Sequence, residues 1–160
     1  MKFRIMLFAL SILFITGCTN NPYIAPKHPN NSKLLCYSSN DLNGMFHWDS
    51  FAVMMIDGKN VDFGFSGNTP TEITAGKHKL LLELKFHKDG SSCSPCTSLI
   101  SVIVDIPKNG IYTIKGKVLE MDAKYQIWIE DIKTHKKITK IITKELNPQA
   151  QNDIYIPIMI

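Results

Sequence analysis

Alternation of apolar and polar residues dominates the middle of this chain. Leu80, Leu82, Leu84 and Phe86 fall on one side of a run whose other side carries Leu81, Glu83, Lys85 and His87. Ile100, Val102, Val104 and Ile106 alternate in the same way with Ser101, Ile103 and Asp105. A period of two is the pattern of a half-buried strand, and the two runs predict a long hairpin with residues 88–98 at its tip. His78 and His87 stand nine residues apart, so a regular strand places them on opposite faces. Further on, Tyr112, Ile114 and Val118 predict an inward face, with Gly116 as a bulge or point of close approach. Tyr125, Ile127 and Ile129 repeat the pattern against Gln126, Trp128 and Glu130.

The first half is less regular. Residues 33–37 (KLLCY) predict a short first strand, 38–44 (SSNDLNG) a turn, and 45–50 (MFHWDS) an aromatic stretch without a period. Residues 51–56 (FAVMMI) predict a buried strand closed by Asp57-Gly58, a dipeptide suited to tight hairpin turns. Val61, Phe63 and Phe65 predict the returning strand. After the polar turn at 131–137, Ile138, Ile141 and Ile142 predict a last core strand. No segment sustains a helical period with caps. The expectation is an all-β fold, a single small antiparallel β-sandwich of about 7–8 strands over residues 33–146.

The start of the chain follows other rules. Lys2 and Arg4 precede an apolar run from Ile5 to Ile15, then Thr16, Gly17 and Cys18. A charged start, a short apolar stretch and small residues at its end are the marks of a cleaved secretory leader. The run is shorter than the roughly 18–20 residues of a membrane span. Ile15-Thr16-Gly17-Cys18 resembles the bacterial lipobox. That resemblance implies a signal peptide over 1–17 and a covalent lipid on Cys18, the first residue of the mature protein. Residues 19–32 (TNNPYIAPKHPNNS) predict a flexible tether, able to lift the domain up to about 40 Å from the bilayer. Residues 147–160 form a separate tail, polar at first and then IYIPIMI. It predicts either an edge strand, where proline is tolerated, or an exposed strand covered by a partner.

Charge and cysteines narrow the functions. The chain holds 18 basic and 14 acidic residues, a net charge of +4. Lys2 and Arg4 leave with the leader, so 16 basic face 14 acidic residues, or +2. No arginine remains, and no basic block stands out, which argues against nucleic acid as partner. With Cys18 lipidated, Cys36, Cys93 and Cys96 are left, an odd number for an oxidising compartment. Cys93 and Cys96 form a CxxC, so one disulfide is expected, within that motif or from Cys36 to one of its cysteines. A redox site would want a helix start in a βαβ setting, which is absent. A metal site built from Cys36, His87, Cys93 and Cys96 is the alternative, although zinc signatures normally show a second tight pair.

Met55-Ile56-Asp57-Gly58-Lys59, then Asn68-Thr69-Pro70, then Ala75-Gly76-Lys77-His78-Lys79-Leu80 resembles the PEGA-type β module of bacterial surface proteins. With Gly110-Ile111-Tyr112 and Ile127-Trp128-Ile129-Glu130-Asp131, the chain is similar to small proteobacterial envelope lipoproteins. The resemblance spans residues 50–132. It implies a β-sandwich and an envelope location, and it implies no catalytic residues. The CxxC and the tail depart from the PEGA pattern.

Catalysis needs convergent groups. The raw material is His47-Trp48-Asp49 with Asp57 and Asp62, or His78 and His87, while His135 sits in a lysine-rich turn. No G-x-S-x-G, H-E-x-x-H or phosphate-loop motif is present. The leading expectation is therefore a non-catalytic lipoprotein without cofactor or small-molecule substrate. It would be held in a membrane by Cys18 and present sheet edges, the 88–98 tip or the tail to an envelope or secretion partner. A metal-handling or redox lipoprotein, and an inhibitor or immunity lipoprotein, are the alternatives. In enterobacterial lipoproteins an Asp after the lipidated cysteine favours inner-membrane retention. Thr19 stands there, which implies the outer membrane, facing the periplasm.

Overall fold

The computed structural model describes residues 21–41, 47–62, 69–89, 96–119, 124–146 and 153–156. Residues 1–17, expected to form a leader, and Cys18 and Cys93 lie outside them. Among the described residues there are eleven strands and no helix. They are β1 (Ser32–Leu35), β2 (Tyr37–Asp41), β3 (His47–Ile56), β4 (Lys59–Asn60), β5 (Thr71–Ile73), β6 (Gly76–Lys88), β7 (Cys96–Ile106), β8 (Ile111–Leu119), β9 (Lys124–Asp131), β10 (Ile142–Glu145) and β11 (Asp153–Ile156). One sheet runs β11-β7-β6-β3-β2, with β4 also paired to β3, and the other runs β10-β9-β8-β1-β5. The protein is an all-β sandwich.

The alternation read from the sequence is the packing plan. Along β6 and β7, Leu80 faces Val102, Leu82 faces Ile100 and Phe86 faces Cys96, and all six are at most 4% exposed. Ile114, Tyr125, Ile127 and Ile129 supply the opposite layer, each at most 1% exposed. Each fully buried Leu, Ile or Phe contributes about 1.5–3 kcal/mol, so this double layer holds the sheets together. Between these two layers the Tyr125 hydroxyl lies 2.8 Å from Ser98 Oγ, which keeps a buried phenol satisfied. Asp57 and Gly58, both at positive φ (51° and 77°), make the two-residue turn between β3 and β4.

Four features differ from the sequence reading. The strands number eleven because three short edge pieces, β2, β4 and β5, carry too little apolar pattern to announce themselves. Residues 38–41, read as turn, belong to β2, whose pairing with β3 runs from Tyr37↔Ala52 to Asp41↔Trp48. Two pairs are parallel, β1 with β8 and β11 with β7. Finally, Cys96 is not at the hairpin tip. It opens β7, buried opposite Phe86.

Strands β1 and β2 are one extended stretch that changes sheet at Cys36. Leu34 pairs with Tyr112 in one sheet, and Tyr37 pairs with Ala52 in the other. Strands that switch sheets make the corners of sandwiches. Cys36 fills this corner with no exposed surface, its Sγ donating to the Leu34 carbonyl at 3.5 Å.

Candidate functional site

The stretch expected to be a free tether is seated on the domain from Pro22 onward. Pro22 bridges to Asn60 beside β4, and the Tyr23 amide donates to the Asn60 carbonyl at 2.7 Å. The Tyr23 ring packs against the core edge. Burial pushes its hydroxyl up from the usual value, partly offset by hydrogen bonds to Thr74. Three prolines fix φ and remove donors, and asparagines meet the remaining backbone groups. Asn31 Nδ2 donates to the Pro26 carbonyl at 2.8 Å, and the Asn109 amide reaches the Asn30 carbonyl. Ser32 Oγ then donates to the Pro107 carbonyl at 2.6 Å and accepts from the Gly110 amide.

Beneath Tyr23 lies a closed polar network. His78, 7% exposed, has Nδ1 2.7 Å from Asp57 Oδ2. Its Nε2 is 2.8 Å from the Thr74 carbonyl and 3.1 Å from Thr74 Oγ1. Asp57 Oδ1 also accepts from the Lys79 amide at 2.9 Å. The ring is fully partnered in either protonation state. Nδ1–H donates to Asp57, and Nε2 donates to the carbonyl or accepts from the hydroxyl. Such a histidine braces the β3–β4 turn and the start of β6; it has no open side for a substrate.

The same end of the sandwich carries the 131–137 turn. Asp131 Oδ1 accepts from the Lys133 amide, the Thr134 amide and the Thr134 hydroxyl at 2.8–3.0 Å. The amide bond from Thr134 leads the interactions that hold its carboxyl below the usual range. His135 takes positive φ (57°) to close the turn. An open hollow of about 510 Å³ lies between this turn and the end of β7, lined by Asp105, Tyr112, Asp131, Thr134, Lys136 and Lys137. Lys137 Nζ sits 5.3 Å above the Trp128 ring. Exposed lysines crowd this end, with Lys27, Lys59, Lys77, Lys108, Lys133 and Lys136 each standing in one of its loops or at a strand start.

At the far end of β3 and β6, Trp48 stacks on His87 with centroids 5.8 Å apart, and His87 Nε2 is 3.3 Å from Asp89 Oδ1. His47 meets Phe86 edge-on at 5.9 Å. Asp49 turns inward and is 1% exposed. Asp49 and Asp57 thus stand at opposite ends of β3, and His78 and His87 at opposite ends of β6. The catalytic raw material does not converge.

Of the four-residue metal set, the three described members, Cys36, His87 and Cys96, are likewise not brought together. Phe86 and Cys96 face the core, so His87 faces away from Cys96. Cys36 hydrogen-bonds Val53 across β3, level with Ile100 on β7. That places it three strand spacings across and four residues along from Cys96, about 14 Å and about 13 Å. A disulfide tolerates Cα atoms about 7 Å apart at most. Cys36 is a free thiol, which corrects its place among the disulfide candidates. Cys96 is disulfide-bonded. Among the described residues no three His, Cys, Asp or Glu side chains form a metal-holding group.

Burial pushes the Cys36 thiol up to about 12, so its nucleophilic thiolate is scarce at any ordinary pH. Iodoacetamide at pH 8 is therefore expected to leave Cys36 unmodified in the folded protein and to modify it fully in 6 M guanidinium. Intact-mass and peptide analysis read this outcome directly. Alkylation at equal rates in both conditions would show the corner to be open.

The seated N-terminal segment and the lysine-rich end were the features the sequence hid. The available signal was the asparagines interleaved with the prolines of 22–31, one of which, Asn31, donates to the Pro26 carbonyl. Compared with protein-family models, curated proteins and solved structures, the chain matches none of them.

Proposed function

We propose that this protein is a lipid-anchored, non-catalytic β-sandwich module of a bacterial envelope. It is held through Cys18 in the outer membrane and presents its domain to a protein partner on the periplasmic side. The supporting observation is the seating of the chain from Pro22. Four residues beyond the lipobox cysteine, the polypeptide is already built into the sandwich. The side chains best suited to chemistry support the same reading, because they are spent on structure: His78 braces a turn, Asp49 lies between the sheets and Cys36 fills a corner. The PEGA resemblance of 50–132 agrees with a module of this kind, and the disulfide at Cys96 suits its compartment.

The test is to express the full chain in a Gram-negative host fed an alkyne fatty acid. The wild type is expected to take up the label, begin at Cys18 and sediment with outer membrane. Cys18→Ser is expected to lose the label entirely. An unlabelled wild type, or cleavage at another residue, would overturn the anchor.

A further inference from the structure

The seated segment changes what a lipid on Cys18 would do. A free 14-residue tether would hold the domain tens of ångströms away, beyond the roughly 8–10 Å over which surface charge is felt in salt. With the chain fixed at Pro22, only three residues lie between the acylated cysteine and the domain, a reach of at most about 14 Å over the four steps. The end of the sandwich that must then face the bilayer is the one where Tyr23 is seated.

That end is the lysine-rich one. Hydrogen bonds tie together the loops that form it: Tyr23 to Asn60, Asp57 to Lys79, Asn109 to Asn30, Ser32 to Pro107 and Ile132 to Ile111. Lys59, Lys77, Lys108, Lys133 and Lys136 stand exposed on them. The carboxylates at this end keep their charge, two of them held in hydrogen bonds, Asp57 by His78 and the Lys79 amide and Asp131 by its own turn, and the lysines outnumber them. Asp105 and Glu72 remain exposed. The lysines come from four segments distant in sequence, two strand starts and two loops, which is why no basic block shows along the chain.

We infer that this end of the sandwich docks on an anionic phospholipid surface, so that lipid anchor and lysines together hold the domain upright. The inference rests on lipidation of Cys18, which sets the distance. Basic residues beside an anchor are attracted to anionic leaflets within a Debye length, and one lipid signal plus a basic patch is a recognised way to a stable attachment. The partner-facing surface is then the opposite end, with Trp48 and His87.

The experiment uses the purified full-length lipidated protein, mixed with vesicles of phosphatidylcholine alone or with about 30% phosphatidylglycerol, a composition that supplies the anionic surface. Flotation reports attachment. A water-soluble amine-acylating reagent, read by mass spectrometry, reports which lysines are covered. The expected result is flotation on both vesicles, with Lys59, Lys77, Lys108, Lys133 and Lys136 protected about fivefold or more on the anionic ones. Lys85, Lys117 and Lys124 should be unchanged, and high salt should remove the protection. Flotation on both without differential protection overturns the docking and leaves the anchor standing. Flotation on anionic vesicles only, lost in a Lys59→Gln/Lys108→Gln/Lys133→Gln variant, removes the anchor and keeps the docking. Flotation on neither overturns both.

Discussion

Gly116→Ala is expected to lower stability by about 1–3 kcal/mol, the usual cost of overpacking a filled core. Elsewhere in a strand the same change would help, because glycine gives up more conformational freedom than alanine on folding. Here the space decides the sign. A Cβ at residue 116 would stand 2.2–2.5 Å from three atoms of the Phe51 ring. That ring is wholly buried, so it cannot swing aside as a surface side chain would. The backbone around Gly116 is also committed, since its carbonyl accepts from Asn40 Nδ2 at 3.2 Å across the sandwich. Phe51→Leu should recover part of the loss in the double variant although it destabilises the wild type by itself. A double-mutant cycle from urea melts reads the coupling; strictly additive losses would mean that β8 moves away instead.

Asp49→Ala is expected to cost a similar amount, about 1–3 kcal/mol, from buried donors left without an acceptor. Asp49 Oδ1 receives the Asn40 amide at 3.2 Å, and the carboxyl is also bonded by the Asn40 side chain and the Val118 amide. Burial nonetheless outweighs these bonds and raises its pKa above 3.8. The sign of the pH dependence follows. Below the unfolded value both states are protonated, and the contribution of Asp49 is fully present. As pH rises through the higher folded value, the unfolded chain ionises first and the contribution is lost, at no more than about 1.4 kcal/mol per pH unit. Thermal melts should therefore show the wild type losing stability relative to Asp49→Asn as pH rises from about 4. A gap that widened towards low pH would contradict this.

The parts of the fold legible in the sequence were those with two wet-and-dry faces. β6 through β9 alternate cleanly because one side of each strand meets the opposite sheet and the other meets water. A glycine inside such a run signals a bulge or a point of close approach, and the unbroken register of β8 with β9 together with the nearby Phe51 ring decides for the second. β2 was not legible. A short edge strand with polar residues on both sides has the composition of a turn, and only its register with β3 makes it a strand. The seating of 22–31 was hidden for a related reason: prolines and asparagines describe a chain that lacks its own ladder, and say nothing about whether another loop supplies the partners. The proposed site was hidden by distance along the chain. Its lysines reach one end from four separate segments, and only the topology assembles them.

The parallel pairing of β1 with β8 also sets an order in time. Ser32 and Gly110, 78 residues apart, must meet before β1 has its place. Pairings between such distant segments are slow to form. A chain that emerges amino end first therefore cannot settle its own beginning until residues near 111 have followed it. Everything built on β1, including the seat of Tyr23 and the corner at Cys36, is completed late. The stretch from Pro22 is among the first to appear and among the last to be folded.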